Sequence, residues 1–242
     1  MKMQKSILPM IVCCCALNLA AAEPVLEFKL NEGQGTVVKD TAGTVQGRVI
    51  FAENTQWKEG REEGSQALFF NGDPAKAHQG GTLLIDPGRK VDFSKPFTLM
   101  FYFYLDPKVV RKANCELVSR NRTEKGPGFR VLFSWNRLCF FVGDGQKRTE
   151  LNTNSNKVQF ARGVWHHIAI TCADGKAAIY HNGVVAAESE SMMPVTDVPG
   201  PIFIGSYKQG YAYHLNGAIS ELKFFDSALS AQEILAIVKN IE

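Results

Sequence analysis

Net charge, cysteine and long hydrophobic runs are all scarce in this chain, and each shortage removes a class of function. Its 242 residues carry 27 Lys and Arg against 24 Asp and Glu, interspersed so that no basic patch forms. Nucleic acid is therefore not expected as a partner, since phosphate binding needs clustered positive charge. The one extended apolar run, Ile7 to Leu19, is too short for a membrane helix of about 20 residues. It follows Lys2 and Lys5 and ends at Ala20-Ala21-Ala22, the small residues that a signal peptidase reads. Residues 1–22 are expected to be an export signal cleaved near Ala22, and residues 23–242 a secreted, periplasmic or cell-surface domain with no transmembrane segment. Met10-Ile11-Val12 precede Cys13-Cys14-Cys15 where a lipidation site would need small residues. Cleavage removes Lys2 and Lys5, leaving 25 basic residues against 24 acidic ones.

Three of the six cysteines leave with the signal. Cys115, Cys139 and Cys172 remain, an odd number that allows at most one intrachain disulfide. A core of this size needs no disulfide staple, so burial is expected for Cys139 and Cys172. Cys172 continues the alternate positions of Ile168 and Ile170. Cys115, beside Asn114 and Glu116 at a strand start, is expected to be the most exposed of the three.

Helical periodicity is also missing until the C-terminus. The body is a succession of short apolar runs separated by turn residues, the rhythm of an all-β sandwich. Leu26 to Leu30 alternates and breaks at Asn31-Glu32-Gly33. Phe97 to Leu105 is apolar on both faces, which predicts a central strand covered on both sides. Glu116 to Arg120, Phe129 to Ser134 and Leu138 to Val142 read as neighbours, the last two joined by Trp135-Asn136-Arg137, short enough for a tight hairpin. Trp165 to Thr171 and Lys176 to His181 follow. Asn182-Gly183 is a strong hairpin signal, because a type I′ turn needs positive φ at both central residues. Ser230 and Glu233 form a capping box ahead of Ile234, Leu235 and Val238, which predicts one short C-terminal helix.

Four segments in order resemble the laminin-G-like, concanavalin A-like jelly-roll family. They are Phe28-Lys29-Leu30-Asn31-Glu32-Gly33-Gln34-Gly35-Thr36, Ala67-Leu68-Phe69-Phe70-Asn71-Gly72, Trp165-His166-His167-Ile168-Ala169 with Tyr180-His181-Asn182-Gly183, and Ile204-Gly205 with Asn216 to Phe225 and Ala228-Leu229-Ser230. The resemblance implies one jelly-roll domain over residues 23–242, a sandwich of two antiparallel sheets with its first and last strands adjacent. Its relatives include lectins and glycosidases, so the site must be argued separately.

The glycosidases on this sandwich carry carboxylates at alternate strand positions in an E-x-D-x-x-E pattern. No such triplet occurs here, and Glu62-Glu63 and Glu188-Ser189-Glu190 read as solvated charge. His166 and His167 point to opposite faces of a strand and cannot chelate one ion together. His167 is expected to be a satisfied polar residue and Trp165 a core residue. No cofactor is required; room remains for one structural calcium, with Asn71 and Asp73 as its candidate ligands. Ser220 stands where the family usually has Asp, and Ser206 to Gly210 holds no acid, so a pentraxin-style double calcium site is not expected. An Asx-type turn at Asn71 to Asp73 accounts for those residues as well.

The ligand candidates cluster in Tyr207-Lys208-Gln209-Gly210-Tyr211-Ala212-Tyr213-His214, which holds three of the six tyrosines. Sugar sites pair flat aromatic faces with convergent polar groups, and Tyr207, Lys208, Tyr211, Tyr213 and His214 offer both. A loop pinned by tyrosine packing explains the same residues. Trp135, at a hairpin tip, is a lone second candidate. The first expectation is an exported, non-catalytic, lectin-like module of a bacterial envelope binding a glycan or surface glycoconjugate. The alternative is a protein-interaction or structural module that assembles with other envelope proteins and binds no sugar. A glycoside hydrolase is the third.

Overall fold

The computed structural model describes residues 22–72, 80–121, 123–208 and 210–239; the expected signal before Ala22, together with Asp73 and Gln209, lies outside them. The chain opens with β1 (Leu26–Phe28), β2 (Val37–Lys39), β3 (Gln46–Ile50), β4 (Thr55–Glu59), β5 (Gln66–Asn71) and β6 (Thr82–Ile85). Next come β7 (Phe97–Leu105), β8 (Asn114–Asn121), β9 (Gly128–Ser134), β10 (Arg137–Gly143) and β11 (Arg148–Asn152). The last elements are β12 (Trp165–Ala173), β13 (Lys176–His181), β14 (Val184–Ser189), β15 (Ile202–Ile204), β16 (Asn216–Phe225) and α1 (Ala231–Lys239).

The strands form two antiparallel sheets of eight, packed face to face. One runs β14-β13-β12-β7-β16-β5-β4, with β1 also on β16; the other runs β11-β10-β9-β8-β15-β6-β3-β2. The chain's two ends close the first sheet as expected, with Leu26 opposite Phe224 and Phe28 opposite Leu222. β5 occupies the earlier part of the same edge of β16, from Asn216 to Ile219. The register breaks between the two partners, where Glu221 takes a positive φ of 50°.

β7 lies in the middle of its sheet and is covered on both sides, which explains its unbroken apolar sequence. Leu99, Phe101, Phe103 and Leu105 enter the core between the sheets. On the outer side Met100 packs with Ala169, Tyr180 and Phe225 against Leu229 and Ile234 at the C-terminal helix. That helix starts where the capping box predicts: Ser230 Oγ accepts from the Glu233 N–H at 3.3 Å, and Glu233 Oε2 accepts from the Ser230 N–H at 2.7 Å. The two-residue turns follow local chemistry too. Trp135-Asn136 (φ 51° and 62°) and Asn182-Gly183 (φ 49° and 77°) both have the positive φ pair of a type I′ hairpin.

Three expectations need correction. Cys115 is the best buried of the three thiols and Cys172, at 7% exposure, the least. β8 is already in its ladder at Cys115, whose side chain faces the core rather than the sandwich rim. Trp165 is half-buried on the outer face, because it pairs with Tyr104 while His166, Ile168 and Ile170 point inward. It packs there on Tyr104 and Phe69, with ring centres 5.6 and 6.2 Å away. His167, on that same outer face, is buried but unsatisfied: its Nδ1 has no hydrogen bond. Burial pulls its pKa down to about 3, with Lys223 and Arg61 adding to the effect. Its neighbour His166 faces inward and is satisfied, with Nδ1 2.9 Å from His181 Nε2 and Nε2 2.9 Å from the Ala161 carbonyl.

Candidate functional site

The tyrosine loop connects β15 to β16 at one rim of the second sheet. It folds back on itself through Tyr207 N–H to the Ala212 carbonyl (2.9 Å) and Tyr211 N–H to the Tyr207 carbonyl (3.0 Å). Two glycines make this possible. Gly210 has φ 86°, and a Cβ there would press on the Gly80 carbonyl and the Phe51 ring. Gly80 has no room for a Cβ because the His214 imidazole occupies that space. His214 Nε2 and the Gly80 N–H both lie within hydrogen-bonding distance of the Gly210 carbonyl, at 2.9 and 3.0 Å.

Beneath the loop lies an ion pair that a single residue in an apolar strand announces. Arg130, flanked by Phe129 and Val131 on β9, is almost wholly buried. Its Nε and Nη2 donate to Glu116 Oε1 and Oε2 at 3.0 and 2.6 Å. Burial alone would lower the Arg130 pKa, but the Glu116 carboxylate more than offsets it and raises it. The guanidinium carbon sits 4.1 Å from the Tyr207 ring centre and 5.4 Å from that of Tyr213, a desolvated cation–π stack. The Glu116 N–H also donates to the Tyr213 carbonyl at 2.7 Å, so pair and loop are held together.

The five candidate residues therefore divide. Tyr207, at 3% exposure, and His214 are interior. Burial pushes the Tyr207 hydroxyl up to about 12. Tyr213 is half-buried, its hydroxyl donating to Glu124 at 3.2 Å. Lys208 and Tyr211 face solvent, Tyr211 at 50% exposure. Trp135 is also exposed and sits alone on the neighbouring hairpin, with Lys112 Nζ 5.4 Å from its ring centre. Asn71 ends β5 opposite Asn216. Asp73, the other candidate ligand, lies outside the described residues, and among those described no group of three or more His, Cys, Asp or Glu is arranged to hold a metal.

Beside Lys208 lies a feature the sequence did not announce, a cavity of about 280 Å³ lined by Arg120, Asn121, Phe203, Lys208 and the Val198-Pro199-Gly200-Pro201 segment. Arg120 builds one wall from the inner side. Its Nε and Nη2 both donate to the Val198 carbonyl, at 2.9 and 2.8 Å, while its guanidinium lies 5.0 Å from the Phe93 ring centre. Asp197 Oδ1 is 3.3 Å from Nη2, while Nη1, also buried, has no hydrogen-bond partner. Asn121, two residues on from Ser119, shares the outer face with Phe203, which pairs with Ser119. The Asn121 amide nitrogen donates to the Thr123 carbonyl at 2.8 Å, and its Oδ1, buried, accepts nothing. A larger opening of about 430 Å³ on the first sheet is lined by Arg61, Glu221, Lys223 and Glu27 among others. Its charges pair with each other, Arg61 with Glu221 and Lys223 with Glu27, both at 3.2 Å.

Among solved structures, the fold is similar to the binding domain of Paraclostridial Mosquitocidal Protein 1, with TM-score 0.70 and 17% identity over 90% of this chain and 52% of that one. It is also similar to the binding domain of Botulinum neurotoxin DC in complex with SialylT (TM-score 0.67, 14% identity, 90% and 51% covered). The same domain in complex with rat synaptotagmin II matches at TM-score 0.67 and 14% identity, with 90% and 52% covered. The chain spans about half the length of each, and at these identities the likeness is one of fold. Comparison with curated proteins found no match. Residues 78–235 match a laminin-G family described as the concanavalin A-like lectin/glucanases superfamily. By fold, by strand order and by that match, this chain belongs to the laminin-G-like branch of the concanavalin A-like superfamily.

Proposed function

We propose that this chain is an exported, non-catalytic binding module that takes a carbohydrate at the rim formed by Tyr211, Lys208 and the adjoining cavity. One observation carries the reading. A proline-walled cavity is bordered by Lys208, a cation on the same pinned loop as the exposed Tyr211 ring. Apolar walls with a few convergent polar groups are what a small-ligand site requires. Tyr207, Tyr213, His214 and the Arg130–Glu116 pair hold the platform, while Tyr211 and Lys208 offer themselves to the ligand. The carboxylates give no support to hydrolysis: Glu116 is committed to Arg130, and Glu62 and Glu63 are exposed.

The test is a glycan-array screen of the protein, run with and without calcium, followed by affinity measurements on variants. Stacking on one ring contributes on the order of 1 kcal/mol. Tyr211→Ala should therefore weaken the captured glycan about fivefold at unchanged melting temperature, and Tyr207→Ala should lower the melting temperature instead. Normal binding by both Tyr211→Ala and Lys208→Asn would remove the rim as the site.

A protein-interaction role draws on a different surface. On the outer face of the first sheet Phe69, Tyr104 and Trp165 form a half-buried aromatic cluster flanked by Lys58, whose Nζ is 5.0 Å from the Phe69 ring centre. A similar structure is in complex with rat synaptotagmin II, a protein. Pull-down of envelope proteins that survives Tyr211→Ala but not Trp165→Ala would favour this reading.

A further inference from the structure

We infer that the pole of the sandwich around Trp135 docks on an anionic lipid bilayer. Three loops meet there: residues 106–113 between β7 and β8, the Trp135-Asn136 turn between β9 and β10, and residues 153–164 between β11 and β12. Arg162 ties them together. Its Nε donates to the Val109 carbonyl at 3.3 Å, and its Nη1 to the Phe160 carbonyl at 2.8 Å and to Asn136 Oδ1. The Ala113 N–H closes the first loop on the Val110 carbonyl at 3.0 Å.

This scaffold presents apolar side chains ringed by positive charge. Val110 is 67% exposed and Trp135 53%, and Val164 is exposed on the third loop. Trp135 holds the first central position of its type I′ turn at φ 51°, where Asn or Gly is at ease and a bulky side chain is strained. A solvent-facing ring in a strained position points to function rather than folding. Lys112 Nζ lies 5.4 Å from that ring's centre. Lys108, Arg111 and Lys157 stand on the same loops and Arg137 beside the turn, while Asp106 is the single acid among the three loops. Its carboxylate already accepts from the Lys108 N–H at 2.8 Å. Among the described residues none of these five cations has an ion-pair partner. Burial lowers the Arg162 pKa, and the charge of the neighbouring Arg111 adds to the effect. The expectation of evenly spread charge is thereby corrected: the cations are interspersed with acids along the chain, and only the fold gathers them.

Cations alone would suit any polyanion. The two valines decide, since an aliphatic side chain gains nothing from a sugar sulfate or a phosphodiester but is buried on entering an acyl layer. Tryptophan settles at the boundary of headgroup and acyl chain, the level at which Lys and Arg meet lipid phosphates. Each such cation strengthens binding about fivefold. The pole lies at the Asn114 end of β8 and the rim cavity at its Asn121 end, so this surface is distinct from the proposed sugar site.

Flotation of the purified protein with vesicles tests the inference, using phosphatidylcholine alone and phosphatidylcholine with about 30 mol% phosphatidylglycerol. Binding to the anionic vesicles should be at least about tenfold tighter and should weaken as salt rises. The bound protein should show blue-shifted tryptophan emission that brominated acyl chains quench. Trp135→Gly, which suits the left-handed turn, should keep the fold and remove both signals. Arg111→Gln and Lys112→Gln should each lower affinity about fivefold at unchanged melting temperature, and they carry the test if Trp135→Gly fails to fold. Tyr211→Ala should bind vesicles normally. Equal binding to both vesicle types, binding to neither, or an emission shift that survives Trp135→Gly would overturn the inference. A DNA duplex or dextran sulfate bound as tightly as the anionic vesicles would overturn it in favour of a soluble polyanion.

Discussion

Replacing Arg130 by methionine keeps most of the side chain's volume and deletes its charge. Two hydrogen bonds to Glu116, at 3.0 and 2.6 Å, disappear, and the carboxylate is left fully buried without a cation. Removing one partner of a buried ion pair costs about 3–5 kcal/mol, and losing the stack on Tyr207 adds about 1 kcal/mol. Arg130→Met should therefore destabilise the protein by about 5 kcal/mol at pH 7, read as a fall in the urea midpoint at constant slope. The loss should shrink at pH 5. With Arg130 gone, burial holds the Glu116 pKa above its unfolded value, so the folded state takes up a proton first and gains stability as pH falls. The double variant Glu116→Gln/Arg130→Met leaves no buried charge and should recover all but about 1–2 kcal/mol. A single-variant loss below about 1 kcal/mol, or a double variant worse than the single, would refute the claim that this pair supports the tyrosine loop.

Three further outcomes follow from the packing. His167 and His181 have pKa values depressed by burial to about 3 and about 4, so between about pH 6.5 and 4 the unfolded chain binds more protons. Stability should then fall as pH drops through that window, and His167→Gln should flatten the profile; urea midpoints that stay level from pH 7 to 4.5 would contradict this. Burial pushes the Cys115 and Cys139 thiols up to about 12 and that of Cys172 up to about 11; native protein should resist thiol reagents at pH 8, with Cys172 the first to react, and early labelling of Cys115 would show that β8 frays. Ile234→Ala should cost about 2–4 kcal/mol, because its side chain is fully buried under the helix, whereas Ser230→Ala should cost about 1 kcal/mol through the lost cap, both measured by thermal unfolding.

What could be read from the residues was what local chemistry dictates. Asn182-Gly183 makes its turn wherever it occurs, Ser230 and Glu233 cap their helix with no outside help, and the two-sided apolarity of Phe97 to Leu105 admits only a central strand. Long-range pairing was harder to see. Cys115 looked like a strand-end residue because its neighbours are polar, yet Glu116 is polar for Arg130, fourteen residues on. A lone arginine between Phe129 and Val131 was the available clue to that pair. Trp165 and His167 share a face with Tyr102 and Tyr104, and nothing within Trp165-His166-His167 says which face is inside. The rim cavity has no motif at all. Asn121 ends one strand, Phe203 sits in a short one and Val198 to Pro201 form a loop, so only the folded chain brings them together.

The central claim is that a sugar sits in the rim cavity beside Tyr211 and Lys208. The most direct measurement is a two-dimensional amide NMR titration of the protein with the glycan that the array screen captures. Shifts should concentrate at the amides of Asn121, Val198, Gly200, Phe203, Lys208 and Tyr211, and leave those of Phe69, Tyr104 and Trp165 unmoved. Shifts centred on that outer aromatic cluster, or no saturable shifts anywhere, would contradict the account.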